Sequence, residues 1–354
     1  MFQTNRLTTL LNIKHPIIQG PFGGNLSTID LVAAVSNSGG LGSYGAHILP
    51  PKEIKKLITD IRDATAQPFA INLWVSNYDD GFATMSEAQF EMYLEPFKPF
   101  YDELNLTYPR YPETLYEDFE SQVDALIEMS PPVFSFVFGV PDEAILKECK
   151  RKDILTLGAA TTVDEAVALS DAGVDIILAT GFEAGGHRVA FQKPAEQSLI
   201  GTLALVPQVV DTVPQPVIAA GGISDARGIK AALALGAEAA QLGTAFLACA
   251  ESGTSNLHRQ SLFNNKSENT VLSRSFTGRL ARFIPNEFIS QCEACSEFPL
   301  PFPIQSFFAN PLKQAAAEQA NLKFSSHYAG QCAGLLKHRS AFDLMDQLIT
   351  DLST

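Results

Sequence analysis

Residues 216–245 read PVIAAGGISDARGIKAALALGAEAAQLGTA, and this stretch decides the fold class. The apolar runs at 216–220 and 238–247 have the composition of buried strands, and residues 226–235 between them have the spacing of a helix. Strand, helix and strand in this order are typical of a parallel sheet built from βα units. The stretch therefore predicts the last two strands of a parallel α/β fold.

The same alternation extends back to the beginning of the chain. A helix capped by Ser27 or Thr28 and helices at 52–64 and 163–172 lie between further apolar runs. These runs predict six earlier strands, at 16–20, 41–44, 69–75, 133–140, 154–159 and 175–180. Eight strand-like runs in order, with no Gly-x-Gly-x-x-Gly in the first βα turn, favour a closed barrel over an open dinucleotide-binding sheet. We therefore predict an α/β fold, a (β/α)8 TIM barrel.

Two stretches depart from this alternation. Residues 76–130 are too long for a plain βα loop and contain two amphipathic helical patterns, so we expect an elaborated connection that carries the third helix. The pattern becomes irregular again after the eighth run. We predict a barrel at 1–251, a smaller substrate or cap domain at 252–330, and a segment at 331–354 whose helix (342–352) returns to the barrel.

The composition argues against several classes of partner. Twenty-five Lys and Arg against 39 Asp and Glu give a formal net charge of −14, without any basic run. Nucleic acid and anionic membranes are bound through clustered Lys and Arg, so we expect neither as a partner. There is no signal peptide and no apolar window of about 18 residues, and the five cysteines are scattered, which together predict a cytoplasmic protein. The lone Cys292-x-x-Cys295 pair lacks a second pair, so we predict no metal site.

Glycines follow the predicted strands on the face where such barrels carry their active sites. Gly221 and Gly222 come after the seventh strand, and Gly243 and Thr244 belong to the eighth. Loops after these two strands frequently bind phosphate through glycine N–H groups and a short helix N-terminus. The two segments together predict a phosphate-bearing ligand.

His187 is the strongest candidate for a catalytic side chain. It follows Glu183-Ala184-Gly185-Gly186 in the loop after the sixth strand. A neutral imidazole in a cleft can accept a carbon-bound proton, because its pKa lies near the operating pH. From position alone a histidine that only satisfies loop packing is equally compatible, and Glu183 either orients His187 or is solvated. His47 follows the second strand, and we expect it at most to line the mouth of the barrel. We expect His15, His258 and His338 to lie at the surface or to serve packing.

Several long motifs resemble the nitronate monooxygenases, formerly called 2-nitropropane dioxygenases, and in particular their class I-like members. The likeness covers nearly the whole chain. It is carried by Gln19-Gly20-Pro21 with Gly24 and by residues 33–43, 183–188, 241–246, 276–282, 300–303 and 328–331. The chain differs from the family at Phe22-Gly23 and at residues 73–77, and these differences concern the substrate more than the flavin.

The resemblance implies an FMN-dependent, NAD(P)H-independent oxidation of alkyl nitronates by O2 to a carbonyl compound and nitrite. His187 would then be the base that removes the α-proton of a neutral nitroalkane. The implied FMN site has Gly20, Pro21 and Phe22 along the ring, Asn72 at its polar edge, Gly221, Gly222, Gly243 and Thr244 at the phosphate, and Gly181, Gly185, Gly186 and Gln241 nearby. We expect a nitronate and O2 as partners and a monomer or homodimer.

Three other functions fit the scaffold. Flavin-dependent enoyl-acyl-carrier-protein reductases and some quinone reductases, which use NAD(P)H, share the Glu-Ala-Gly-Gly-His tract. The ending of strand four at Phe138-Gly139-Val140-Pro141 and the motif at 328–331 favour the nitronate branch. A phosphate-binding lyase would need a Schiff-base lysine, and no predicted strand contains a lysine. In a non-catalytic flavin carrier, His187 would serve packing alone.

Overall fold

A computed structural model describes residues 4–75, 85–112 and 117–353 of the 354-residue chain. Its strands are β1 (Ile17–Gln19), β2 (Gly42–Gly45), β3 (Phe69–Trp74), β4 (Val133–Val137), β5 (Leu155–Ala160), β6 (Ile176–Thr180), β7 (Gly186–His187), β8 (Val217–Ala220), β9 (Ala239–Leu242), β10 (Val271–Ser273) and β11 (Ala281–Phe283). Eight of them form one parallel sheet in the order β1, β9, β8, β6, β5, β4, β3, β2. A parallel bridge between Ile18 and Leu41 brings β1 beside β2, so the sheet is nearly closed. The predicted (β/α)8 barrel is confirmed.

Helices connect the strands and cover the outside of the barrel. Several begin at the side chain that the sequence offers as a cap: Thr28 accepts a hydrogen bond from the N–H of Leu31, and Thr162 accepts one from Glu165. The helices are α1 (Arg6–Leu11), α2 (Ile29–Asn37), α3 (Pro51–Ala64), α4 (Glu87–Leu94), α5 (Lys98–Glu103), α6 (Phe119–Met129), α7 (Glu143–Arg151), α8 (Val163–Asp171), α9 (Thr202–Thr212), α10 (Ala226–Ala234), α11 (Thr244–Leu247), α12 (Asn256–Asn264), α13 (Glu287–Ala294), α14 (Ile304–Glu318) and α15 (Ala341–Ser353).

Two predicted strands end at least three residues earlier in the structure than predicted. The eighth, predicted at 238–247, ends at Leu242, and the same apolar run continues as α11 from Thr244. Periodicity cannot separate a buried strand from a buried helix within a short apolar run, which is why the prediction was wrong there. The fourth, predicted at 133–140, ends at Val137 because Phe138 has φ 67° and Gly139 has φ 152°.

The predicted connection at 76–130 contains α4, α5 and α6. Residues 76–84 and 113–116 of it lie outside the described residues. Apolar residues of 85–104 pack against apolar residues of 276–324, which come much later in the sequence. We call this group the aromatic cluster. Within it the rings of Phe97 and Phe308 stack 5.0 Å apart, and the Tyr101 hydroxyl donates to the carbonyl of Phe308 at 2.8 Å.

The main core lies between the barrel and its helices. Ile71 and Leu73 of β3 point into it, together with Leu344 and Leu348 of α15, which packs beside α2 and α10. Ala70, between these strand positions, belongs to a separate cluster inside the barrel. Because side chains alternate along a strand, Asn72 and Trp74 face the same side as Ala70.

A three-stranded antiparallel sheet joins the loop after β6 to the 252–330 segment. Its order is β10, β11, β7, and it sets Ala281 opposite His187 and Arg282 opposite Gly186. The predicted domain boundaries at 251 and 330 stay a prediction. The pairing nevertheless means that the main chain of His187 is held by a strand 94 residues later in sequence, at position 281. A side-chain contact from His187 to Thr277 spans 90 residues.

In the part of the chain that the structure describes, no helix has the length and apolar character needed to cross a membrane. Within those same residues, no group of three or more His, Cys, Asp or Glu side chains is arranged to hold a metal ion. The five cysteines are free thiols, and burial raises the pKa of Cys292 to about 12, so that this thiol stays protonated at neutral pH.

Candidate active site

The predicted site residues lie at the C-terminal ends of the barrel strands. Because the strands are parallel, these ends meet on one face of the barrel. The β1 end and the β9 end are in contact, since a Cβ built on Gly20 would lie 3.5 Å from Cα of Gly243. The face is made by Gly20, Pro21 and Phe22 after β1, Asn72 in β3, Gly181 after β6, Gly221 and Gly222 after β8, Gln241 in β9, and Gly243 and Thr244 after it.

His187 lies among aromatic rings from both the barrel and the 252–330 segment. Its ring centroid is 5.0 Å from that of Trp74, 6.2 Å from that of Phe138 and 5.9 Å from that of Tyr328. Its Nε2 is 2.9 Å from Oγ1 of Thr277. The strand pairing fixes its main chain, and these neighbours fix its ring.

The electrostatic surroundings keep this imidazole neutral. Burial lowers the pKa of His187 well below its usual value, and the charges of Arg279, His47 and Lys313 lower it further. Burial likewise lowers the pKa of His47 to about 3, with Arg279 and Lys313 contributing. Burial also lowers the pKa of Lys313 to about 8. Two neutral imidazoles therefore lie within the field of two basic side chains.

Arg279 is held between aromatic faces. Its Cζ is 3.9 Å from the ring centroid of Phe138, 4.0 Å from that of Phe302 and 5.2 Å from that of Trp74. Each such cation–π contact contributes about 0.5–2 kcal/mol, depending on how far it is shielded from water. The stack fixes a positive charge beside His187, and such a charge favours an anion bound in the site.

The side of the site nearest β2 is formed by a stacked pair of rings. The ring of His47 lies parallel to that of Trp74, with centroids 3.9 Å apart and planes 3° apart. Glycine is needed at position 23, because a Cβ there would lie 2.2 Å from Cε1 of His47. The Phe22-Gly23 pair, at which this chain differs from the family that it resembles, thus leaves space for the His47 ring.

The ends of β8 and β9 offer hydrogen-bond donors to a ligand. Gly221 and Gly222 have φ values of 104° and 69°, which glycine adopts without strain. Among the described residues, no acceptor pairs with the N–H of Gly222 or of Gly243. The N–H of Thr244 is in the first turn of α11 and has no partner inside that helix. A Cβ on Gly243 would approach only Phe22, at 4.0 Å, so there is room beside Gly243. Successive backbone N–H groups of this kind suit an anionic ligand.

The loop after β6 is closely packed. The N–H of Gly181 donates to the carbonyl of Ala220 at 2.9 Å, and a Cβ on Gly181 would lie 2.1 Å from Oγ1 of Thr202. A Cβ on Gly185 would lie 2.5 Å from the N of Gly330. Packing against protein is therefore enough to explain glycine at these two positions, and their contact with a cofactor stays a prediction. Gly186, with φ 78°, has open space at its Cβ position.

Glu183 neither orients His187 nor is left to solvent, the two roles that the sequence allows it. Its carboxylate accepts hydrogen bonds from the N–H of Thr202 at 2.9 and 3.0 Å and from the Thr202 hydroxyl at 3.0 Å. It therefore caps the N-terminus of α9, where the helix dipole favours a negative charge. The sequence pattern could not separate this role from orientation of His187, because the capped helix begins 19 residues later.

Arg188 braces the same loop from inside. Its side chain is 1% exposed and donates to the carbonyls of Thr180, Gly181 and Ser198 at 3.0, 2.8 and 2.9 Å. Burial lowers its pKa to about 10, which still leaves it charged at neutral pH. The residue next to His187 is thus structural.

Sequence reasoning missed most of the side chains around His187. Thr277, Arg279 and Tyr328 lie in motifs that carry the family resemblance, but no local pattern assigned them a role. Trp74, the single tryptophan, was noted only as a difference from the family. Lys313 lies in α14, and no sequence motif or spacing indicated that it would lie near His187.

Comparisons with known proteins agree with one another. A family model described as nitronate monooxygenase matches residues 4–351. A probable nitronate monooxygenase from Staphylococcus saprophyticus is 39% identical, over 98% of this chain and 97% of its own length. Among solved structures, nitroalkane oxidase from Streptomyces ansochromogenes has a TM-score of 0.88 and 33% identity, covering 99% of this chain and 98% of its own. FabK from Thermotoga maritima has a TM-score of 0.77 and 28% identity, covering 99% and 96%.

Proposed function

The chain belongs to the nitronate monooxygenase family, and from this we propose that it uses FMN and O2 to oxidise alkyl nitronates to a carbonyl compound and nitrite. The observation that carries the proposal is the neutral His187 beside the aromatic-stacked charge of Arg279, on the barrel face that also presents the backbone donors. A neutral base and a fixed cation suit a substrate that is an anion or becomes one.

The donors at the ends of β8 and β9 fit the phosphate of FMN. The N–H groups of Gly222, Gly243 and Thr244, with Gly221 shaping the turn, would bind it. The loop of Gly20, Pro21 and Phe22 would line the flavin ring, and Asn72 would bond its polar edge. Gly186 and Gln241 border the same space, and Gly181 and Gly185 would support the loop. Bound FMN supplies the redox chemistry that protein side chains lack.

The protein's own residues would act on the substrate's charge and proton. His187 would accept the α-proton when a neutral nitroalkane is offered. A histidine with so low a pKa is a weak base, but the positive charges of Arg279 and Lys313 stabilise the resulting nitronate relative to the neutral acid. When the nitronate itself is offered, this proton transfer is not required. The rings of Trp74, Phe138 and Phe302 would exclude water from the anion.

Anaerobic absorbance spectroscopy of the purified protein tests the assignment. We expect the yellow flavin absorbance to decrease on addition of propionate 3-nitronate and to persist on addition of NADPH. A protein that takes up no FMN would contradict the proposal outright.

His187→Asn tests the role of the histidine. We expect turnover of a neutral nitroalkane to decrease about 10²- to 10⁴-fold, as for loss of a general base, with flavin content retained. Turnover of the preformed nitronate should decrease much less. His338→Asn, at a histidine outside the site, is the matched control. Equal losses on the two substrates would contradict the assignment of His187 as a base.

A flavin-dependent NAD(P)H reductase is the second candidate. The observation that favours it is the tract at 183–187, which enoyl-acyl-carrier-protein reductases of this superfamily share. Rapid loss of flavin absorbance with NADPH alone would select this candidate over the first.

A further inference from the structure

We propose that Thr277 is a positioning residue that fixes the tautomer of His187, so that Nδ1 is the ring atom that exchanges a proton with the substrate. The inference rests on the proposed function of His187 as a base. It concerns which nitrogen performs that function, and this can be measured independently of turnover.

The hydroxyl of Thr277 has three polar neighbours. Its Oγ1 is 2.9 Å from Nε2 of His187, 3.2 Å from the carbonyl oxygen of Arg279 and 3.3 Å from the N of Arg279. The side chain is 5% exposed, so water contributes little to its hydrogen bonding. These protein contacts therefore decide where the hydroxyl proton points.

Only one arrangement of protons makes all three contacts complementary. A hydroxyl has one proton to donate and two lone pairs that accept. The Arg279 carbonyl can only accept, so it takes the Thr277 proton, and the Arg279 N–H can only donate, so it uses one lone pair. The remaining lone pair accepts from Nε2 of His187, which must then carry a proton.

The opposite arrangement brings two acceptors together. If Thr277 donated to Nε2, a lone pair of its Oγ1 would face the carbonyl oxygen of Arg279 at 3.2 Å, and the two partial negative charges would repel. The protonated Nε2 is therefore favoured. Burial and the neighbouring charges keep the ring neutral at pH 7, and a neutral imidazole carries a single N–H. Nδ1 then holds the lone pair.

The ring is also prevented from turning over. A flip of the imidazole about its Cβ–Cγ bond would put Cε1 in the place of Nε2 and break the contact with Thr277. The rings of Trp74, Phe138 and Tyr328 enclose the imidazole, and the pairing of β7 with β11 fixes its main chain. Among the described residues, no hydrogen-bond partner lies at Nδ1, which leaves this atom to the substrate.

Nitrogen-15 NMR of the FMN-loaded enzyme, labelled at histidine, measures the tautomer directly. The signals of His187 are those that disappear in His187→Asn. We expect Nε2 to show the shift of a protonated nitrogen and Nδ1 that of an unprotonated one. In Thr277→Val, which removes the acceptor, the Nδ1–H form should increase, and Thr277→Ser should restore the wild-type pattern. A wild-type spectrum with Nδ1 protonated, or a Thr277→Val spectrum identical to it, would overturn the proposal.

Kinetics then separate positioning from general support of the fold. We expect Thr277→Val to lower kcat for a neutral nitroalkane on the order of tenfold or more, because a wrong tautomer disables a base, while KM changes little. The loss should be smaller with the preformed nitronate and should be reversed in Thr277→Ser. Equal losses on both substrates, or no rescue by serine, would count against positioning. If His187→Asn left nitroalkane turnover intact, the base role would fail while the NMR result on the tautomer would still stand.

Discussion

The barrel and the 252–330 segment contribute different kinds of group to the site. The barrel contributes the glycine N–H groups after β8 and β9, together with the rings of His47, Trp74 and Phe138. The segment contributes side chains, with Thr277, Arg279 and Lys313 controlling the charge and protonation around His187. The two meet where β7 pairs with β11. We therefore expect that the proposed binding of FMN and the proposed chemistry on the substrate can be altered separately, which the following substitutions test.

Arg188→Met should have the largest effect, and the effect should be on stability. The variant leaves three buried carbonyls without their charged donor. Such bonds contribute about 1.5–3 kcal/mol each and are not additive, so we expect the free energy of unfolding to fall by about 3–5 kcal/mol. Urea unfolding at pH 7 measures this.

The control for Arg188→Met is Arg151→Met. Arg151 is paired with Glu148 on the surface, three residues away, and this exposed, solvent-screened pair should contribute little to the free energy of unfolding. If the two variants were equally stable, the loop carrying His187 would not depend on its internal brace, and the two regions would be less distinct than the structure indicates.

His258→Gln should change how stability depends on pH. His258 is stacked on His327 and bonded to the carbonyl of Tyr328 at 2.9 Å, and burial lowers its pKa to about 4. Between pH 6.5 and 4 the unfolded chain binds a proton at this residue and the folded chain does not. Stability is therefore lost as the pH falls, at up to about 1.4 kcal/mol per pH unit for one such site.

In His258→Gln this contribution is absent, so its free energy of unfolding should fall less steeply between pH 6.5 and 4.5 than that of the wild type. Urea unfolding at several pH values gives the two slopes, and His338→Gln is the control. Parallel slopes in wild type and variant would mean that His258 does not contribute to the acid sensitivity of the protein.

Gly222→Ala should weaken FMN binding about tenfold. The residue has φ 69°, and a left-handed conformation costs a residue with a Cβ roughly 1–2 kcal/mol. The new Cβ would also lie 3.3 Å from that of Glu183. Relief of the backbone strain or of the close contact with Glu183 would move the N–H of residue 222, which we assign to the phosphate. Fluorescence titration of the apoprotein with FMN measures the affinity.

Gly173→Ala is the matched control for strain. Gly173 has φ 83° and no atom within 4 Å of its Cβ position, and it lies before β6, at the other end of the barrel. It should lose comparable stability but keep its FMN affinity. Equal loss of affinity in both variants would show that general strain, not the donors after β8, determines binding.

The barrel was predictable because its strands are buried on both faces. Runs such as 69–71 and 176–179 are continuously apolar, and glycines mark where several of them end. The same burial explains the error at β9, where apolar residues continue without a break from strand into α11. The positions of Gly222 and Gly243 follow from strand order alone, without knowledge of any side-chain contact.

The surroundings of His187 were not predictable in this way. The strands β10 and β11 are three residues each, too short for a periodic signal. The aromatic cluster joins residues more than 200 positions apart, as in the bond between Tyr101 and Phe308. Thr277 and Arg279 reach the site through such long-range packing, so only the family resemblance marked their segment.

The crossing of Ala329 and Gly330 over the loop at Gly185 has a consequence for how the protein is made. The N–H of Gly330 donates to Oγ1 of Thr244, 86 residues earlier, and that of Gln331 donates to the carbonyl of Glu183. During synthesis, every barrel strand leaves the ribosome before these contacts can form. At about 5–20 residues per second, synthesis from residue 187 to residue 330 takes roughly 7–29 seconds, and until then the loop of His187 lacks its last contacts. A nascent chain released before residue 328 would have its eight barrel strands but not the contacts that complete the loop around His187.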